Sequence, residues 1–276
     1  MSLINNVKTF VLLGLLTALL LWVGSFWGYS GLAIALVLVL VMNLVSFWYS
    51  DKIVLKMYKA KEIRSAPVKE LVKELAKEAN IPMPKVYLIP SDAPNAFATG
   101  RSPEHAAVAV TQGILSALTK DELRGVLAHE LAHIKNRDTL IQTVASVIAG
   151  VISYVAMMAR FGAMFGGYGD RDGGRGIELL ALAIITPLIA VIIQLAISRS
   201  REFLADERGA KLIRDGLPLA SALEKLESSH VKLKFGSKMT SSLFIVNPFK
   251  GKALWKLLST HPSTSVRVEK LKSMRW

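Results

Sequence analysis

Residues 9–50, TFVLLGLLTALLLWVGSFWGYSGLAIALVLVLVMNLVSFWYS, form a run of 42 positions between Lys8 and Asp51 without a single Asp, Glu, Lys or Arg. A bilayer core is crossed by about 20 helical residues, so the run is too long for one span and suits two. It carries its own break, Gly24-Ser25-Phe26-Trp27-Gly28-Tyr29-Ser30-Gly31, where glycine and serine relax a helix and Trp27 and Tyr29 suit the headgroup interface. The pattern predicts spans over about 8–25 and 31–50, joined by a short hairpin. The competing reading, a cleaved signal peptide over 1–25, has one Lys for an n-region and no small-x-small cleavage site. Two further uncharged runs cover 139–159 and 179–198, with a Gly-rich connection over 161–176 and a kink predicted at Pro187. A mean hydropathy of +0.40 concentrated in these runs excludes an ordinary cytosolic globule and a disordered chain. The absence of cysteine excludes a disulfide-stapled domain, thiolate metal sites and Cys nucleophiles.

The net charge of +13 is unequally shared: 51–138 holds 14 basic and 11 acidic residues, and 199–276 holds 16 and 7. No nucleic-acid recognition motif accompanies the basic excess, so nucleic acid is not an expected partner. Basic residues flanking apolar spans are the signature of topology and of anionic lipid. The first hairpin loop is uncharged, whereas Lys52, Lys56, Lys59, Lys61 and Arg64 follow the second span against Asp51 and Glu62. That asymmetry predicts both termini and both soluble segments on the cytoplasmic face, with the lipid bilayer as a partner. The expected organisation is a two-helix hairpin (1–50), a first catalytic part (51–138), a second helix pair (139–198) and a second catalytic part (199–276).

Within the first soluble segment, Pro67 opens a helix whose apolar stripe is Val68, Leu71, Val72, Leu75, Ala76 and Ala79; the Lys/Glu positions between them make a solvated face. Lys85–Ile89 and Ala106–Thr111 read as strands. Thr119-Lys120-Asp121-Glu122 has capping-box spacing and predicts a helix start. That helix carries His129-Glu130-Leu131-Ala132-His133. Residues i and i+4 share a helix face, so the two imidazoles can converge on one zinc ion. Glu130, offset by one position, suits contact with a water on the metal, whose pKa zinc lowers to about 7. An accidental histidine pair is the plain alternative; the helix context, the intervening acid and a total of five His in the chain weigh against it. Asn136 and Thr139 stand where a metzincin would have Gly and His, which excludes that class. The dense charges around the motif place it at the membrane surface.

A third ligand must come from elsewhere. Glu202 and Asp206, in SRSREFLADERGA after the last apolar run, are again i and i+4, and one could bind zinc while the other holds a ligating histidine. Both could equally pair with Arg199 and Arg201, and spacing alone does not choose.

Four apolar runs, HELAHIKNRD, SRSREFLADERGA, IPMPKVYLIPSDAPNAFATG and THPSTSVRVEKL together resemble the HtpX-type membrane metalloproteases across essentially the whole chain, and more distantly the CAAX prenyl proteases. The resemblance implies an integral membrane, mainly α protein: four transmembrane helices plus a zincin-like α+β catalytic domain of gluzincin type. It implies one Zn2+ per chain held by His129, His133 and Glu202, with Glu130 catalytic and Asp206 orienting a ligand. It implies an endopeptidase of the cell (inner or plasma) membrane, acting in quality control on misfolded or damaged membrane proteins. Asn95, Ala96, Phe97 and Ala98 resemble the segment that forms an edge strand over the cleft, where extended peptide adds through its backbone. His261 and Arg267 match a His-Pro and a later Arg beside the scissile bond, implying an oxyanion donor; Val266, Val268 and Leu271 are the expected apolar positions of that last helix. His105 and His230 read as surface residues. A non-proteolytic scaffold or chaperone with a structural zinc site is the alternative, but no fourth His or Cys ligand is evident. A transporter would need ionisable residues within the spans.

Overall fold

The computed structural model describes residues 28–64, 66–144, 199–229, 243–245 and 262–275, with scattered positions between 7 and 25. The apolar runs beyond residue 144, the Gly-rich connection, Pro187, His230 and His261 lie outside the described residues.

Helix α1 (Gly28–Met57) is one unbroken rod of 30 residues, long and apolar enough to cross a bilayer, and little of it is buried by the protein. It outlasts the expected 31–50 span because Asp51, Lys52 and Lys56 continue the helix beyond the apolar stretch. The break before it falls at Gly28, whose φ of 67° is left-handed. The described positions before it are helical and return alongside α1. The Asn43 amide donates to the Thr17 hydroxyl at 2.9 Å, and a Cβ on Gly24 would lie 2.5 Å from that of Ala35. The described positions around Thr17 and Gly24 therefore pack against α1.

The soluble part is built on a four-stranded sheet of order β1-β2-β4-β3. β1 (Lys61–Glu62) runs antiparallel to β2 (Lys85–Ile89), β2 parallel to β4 (Ala106–Thr111), and β3 (Ala96–Gly100) antiparallel to β4. Alternation along β4 sends Ala106, Val108 and Val110 to one core and Ala107 and Ala109 to another, so the sheet is covered on both faces. The first face receives α2 (Pro67–Glu78), a short α3 (Gln112–Ala117) and α4 (Lys120–Asn136). The second receives the last turn of α1 and Tyr58, whose ring meets Phe97 and Phe244 at centroid distances of 5.7 and 5.0 Å.

Helix α4 starts in the expected capping box, with Thr119 and Glu122 each bonding the other's backbone. Burial raises the Glu122 carboxyl, but hydrogen bonds from Lys225, Ser221 and the Thr119 N–H outweigh it and hold the group acidic. Ser221 and Lys225 belong to α6 (Leu217–Ser228), so the same acid that caps α4 ties the second soluble part to the first. Between them runs α5 (Arg199–Ile213), which crosses α4 where Gly209 faces the His129 backbone; a Cβ there would sit 2.8 Å from the His129 nitrogen. The last helix, α7 (Thr264–Lys272), buries Arg267, Val268 and Leu271. Val266, expected among its apolar contacts, faces outward at 48% exposure because Arg267 takes the inward register.

Candidate metal centre

Helix α4 is buried on nearly all sides, and His129, Glu130 and His133 lie within the packed interior rather than on a solvated face. The one-turn offset brings their rings together edge to face, with the two Nε2 atoms 3.2 Å apart. The close crossing permitted by Gly209 delivers Glu202 from α5: its carboxylate oxygens lie 3.8 Å from His129 Nε2 and 3.5 Å from His133 Nε2. The two Nε2 atoms, 3.2 Å apart, thus face the Glu202 carboxylate, with Oε1 3.5 Å from His133 and Oε2 3.8 Å from His129. Tetrahedral zinc with ligand bonds near 2.0–2.1 Å requires donor–donor edges of about 3.3 Å. The residues present fit such an ion in size, in chemistry and in count, with one position left for water or substrate. Among the described residues, this is the cluster able to hold a metal.

Each imidazole is gripped from behind. Asp206, one turn beyond Glu202, places Oδ1 2.9 Å from His129 Nδ1. Asp138 places Oδ2 3.3 Å from His133 Nδ1. The family resemblance implied the first of these contacts, while helical spacing left it open; nothing in the sequence pointed to the second. Asp206 is itself clamped by Arg267, whose Nε and Nη2 donate to its two oxygens at 2.8 and 2.7 Å, while Nη1 donates to the Ile245 carbonyl at 3.0 Å. Arg267 is 1% exposed, and its donors are engaged inside the protein rather than directed into an open cleft. Glu207, the neighbour of Asp206, points outward to Lys211. The alternative pairing of Glu202 and Asp206 with Arg199 or Arg201 gives way to this arrangement: Asp206 goes to Arg267 and His129, and Glu202 to the histidines, although buried Arg201 stays within electrostatic reach of Glu202.

Electrostatics among these groups follow burial and pairing. Burial lifts the Glu130 carboxyl to about 7, within the range useful to a base at neutral pH. Burial pushes His129 down, only partly offset by Asp206. For His133 the desolvation is outweighed by the Asp138 hydrogen bond and by the Glu202 and Glu130 carboxylates, which raise it to about 9. Asp206, despite its burial, is held at about 2 by the Arg267 guanidinium.

The expected edge strand is β3, and Asn95 to Ala98 offer it backbone rather than side chains. The Asn95 carbonyl accepts from the Thr111 N–H, and its side-chain oxygen accepts from the Ala96 N–H. Ala96 and Ala98 face the core, and Phe97 stacks with Tyr58 and Phe244. The Ala98 N–H bonds the Glu130 carboxyl, and the Ala96 carbonyl accepts from the Ile245 N–H at 3.3 Å. Leu243, Phe244 and Ile245 together with Gln142 wall the narrow recess beside His129, His133 and Glu202. Gln142 had no signal in the sequence beyond lying in an apolar run. His105 is an exposed residue bonded to Ser102.

Residues 62–275 match the model of Peptidase family M48. The chain is 53% identical to the protease HtpX homolog of Syntrophobacter fumaroxidans, an alignment covering 98% of this chain and 99% of that one. It is 50% identical to the protease HtpX homolog of Pyrococcus furiosus, covering 97% and 95% respectively. The fold is similar to that of Ste24p from S. mikatae, with a TM-score of 0.53 at 18% identity, covering 98% of this chain and 66% of that one. A buried His/His/Glu triangle on an M48 scaffold, in a sequence so close to HtpX proteases along its full length, leads to one conclusion: the chain belongs to peptidase family M48 and is a metalloprotease of the HtpX type.

Proposed function

We propose that this chain is a membrane-embedded zinc endopeptidase that hydrolyses peptide bonds of misfolded or damaged membrane proteins at the cytoplasmic face. The observation that carries the reading is the donor triangle of His129, His133 and Glu202, sized for zinc and flanked by a carboxylate that ligates nothing, Glu130. Zinc held there supplies Lewis acidity, polarising a carbonyl and acidifying a coordinated water. Asp206 and Asp138 lie 2.9 and 3.3 Å from the Nδ1 atoms of His129 and His133, which would hold each ring with Nε2 turned to the metal; His133 would give up its Nε2 proton to bind it. Glu130, positioned by the Ala98 N–H and poised near neutrality by burial, takes the proton of the attacking water. The water oxygen adds to the scissile carbonyl carbon, whose π electrons pass to the carbonyl oxygen; the C–N bond then breaks as Glu130 returns the proton to the departing amine. Extended substrate is proposed to add beside β3 through its backbone by exchanging with the Ile245 N–H that now bonds the Ala96 carbonyl, which supports broad sequence tolerance. His261 is proposed to donate to the oxyanion, while Arg267 holds the Asp206 carboxylate behind His129.

A structural zinc site on a scaffold is disfavoured by membership of a protease family and by the donor set, which among the described residues numbers three. The decisive experiment is hydrolysis of casein and of a misfolded membrane protein by the zinc-replete enzyme, with a chelator control. Turnover that survives complete zinc removal overturns the reading. The orientation is tested by reporter fusions at Gly28 and at the C-terminus: they should report opposite sides of the membrane, and reports from the same side overturn the four-span, cytoplasmic arrangement.

A further inference from the structure

We propose that Asp138 is a positioning residue of the metal site, its carboxylate holding the His133 Nδ1–H so that Nε2 is presented to the cation shared with His129 and Glu202. The inference rests on the metal-site reading above and extends it to a residue outside both helices that carry the ligands.

The local backbone explains how an aspartate five residues after a histidine reaches it. In a continuing helix, i and i+5 differ by about 140° around the axis and cannot meet. Here α4 ends at Asn136, and Arg137 takes the left-handed conformation, φ 59° and ψ 36°. The Arg137 N–H then bonds the Ile134 carbonyl, and the Asp138 N–H reaches back to the His133 carbonyl at 3.0 Å. These are the paired bonds of a Schellman-type ending, and they fold Asp138 over the last turn, beneath the His133 ring. The side chain is 0% exposed, so its charge is committed to the interior. A buried carboxylate needs partners, and here the His133 ring supplies one 3.3 Å away while the buried Arg201 guanidinium adds charge.

Asp138 also stands where the chain departs toward its next apolar run. A helix opens at Thr139, with the Gln142 N–H bonding the Asp138 carbonyl at 3.1 Å. The Thr139 hydroxyl donates to the Gly100 carbonyl of β3 at 2.8 Å. One turn of chain thus touches the ring of a ligand and the end of the edge strand. The acid behind His129 comes from α5, whereas the acid behind His133 comes from this helix-to-helix joint. The two rings are aligned by different parts of the fold.

A substitution can separate the ring contact from the cap. Asp138→Ser keeps an N-cap for the following helix but is too short to reach the imidazole; Asp138→Asn keeps both the length and an acceptor oxygen. The full chain in detergent is compared in two ways. Zinc affinity is read by competition with a chromophoric chelator. In protein loaded with Co2+, the exchangeable ring N–H protons of the coordinating histidines are read as hyperfine-shifted NMR signals, seen only while a hydrogen bond protects them. Wild-type protein should show two such signals, one per histidine. The Ser variant should lose one and bind zinc ~10–100-fold more weakly, while the Asn variant keeps both signals and stays near wild-type affinity. A Ser variant with both signals and unchanged affinity overturns the proposal. So do Ser and Asn variants that fall alike, the mark of a cap or packing role. Wild-type protein that takes up no zinc overturns the metal-site reading and this inference with it; normal uptake with an unaffected Ser variant overturns this inference alone.

Discussion

Along α4 the interior positions include His129, Glu130, His133 and Asn136, whereas along α1 the outward positions include Ile34, Val37, Leu40 and Leu44. Each helix inverts the usual soluble pattern, one by burying charge and the other by exposing hydrocarbon. The inversions have different remedies. In α4 the buried ionisable groups Glu122, His129, Glu130 and His133 each meet a named partner, so their order is specified residue by residue. In α1 the remedy is collective: lipid accepts any apolar side chain, and no single contact matters. Substitutions should therefore be punished singly in α4 and its partners, and only by class in α1.

The largest effect is expected at Glu202. Glu202→Ala leaves two protein donors, so the purified variant should lose its zinc outright and all hydrolysis with it; full occupancy by metal analysis would falsify the ligand assignment. Glu130→Gln should come next, with zinc retained and hydrolysis reduced by ~10²-fold or more, as for loss of a general base. Near-normal turnover in the zinc-loaded Gln variant would remove Glu130 from the chemistry. Asp206→Ala should weaken zinc by ~10–100-fold. It also strands the buried Arg267, so unfolding should show a loss of about 3–5 kcal/mol, the usual consequence of removing one partner of a buried pair. On α1, Leu40→Val should pass unnoticed, while Leu40→Lys should raise the cost of membrane insertion by about 3 kcal/mol, read in a glycosylation-based insertion assay. Equal tolerance of Lys and Val at that position would break the contrast between the two helices. The smallest effect belongs to Glu207→Ala, beside the site but turned to solvent with Lys211: zinc content and activity should be unchanged.

What the sequence made legible divides along local and non-local lines. The helix face shared by His129 and His133, the capping box at Thr119 and the strands Lys85–Ile89 and Ala106–Thr111 depend on neighbours within a few residues, and all appear as read. Glu202 was legible as a candidate, but its pairing with the histidines needed the approach of α5 to α4, which turns on the missing side chain of Gly209. Asp138 was hidden because helical spacing forbids the contact and only the left-handed Arg137 restores it. No periodicity marks a non-glycine residue for that conformation. Arg267 was noticed as a donor for the cleft, yet burial turned it into the clamp of Asp206. The short strand β1 and helix α3 carry too few residues to show a period.

The continuity of α1 sets a ruler. The helix does not stop where its apolar stretch stops at Ser50; it runs on to Met57, and Tyr58 docks against Phe97 beneath the edge strand. Seven helical residues rise about 10 Å, with no hinge between bilayer and cleft. Arg101, just past the end of β3, lies over the Trp48 ring with its guanidinium carbon 4.8 Å from the ring centre, bracing that distance from the other side. The ligand cluster is therefore tied to the apolar helix at a near-constant distance, as a blade is fixed to its handle.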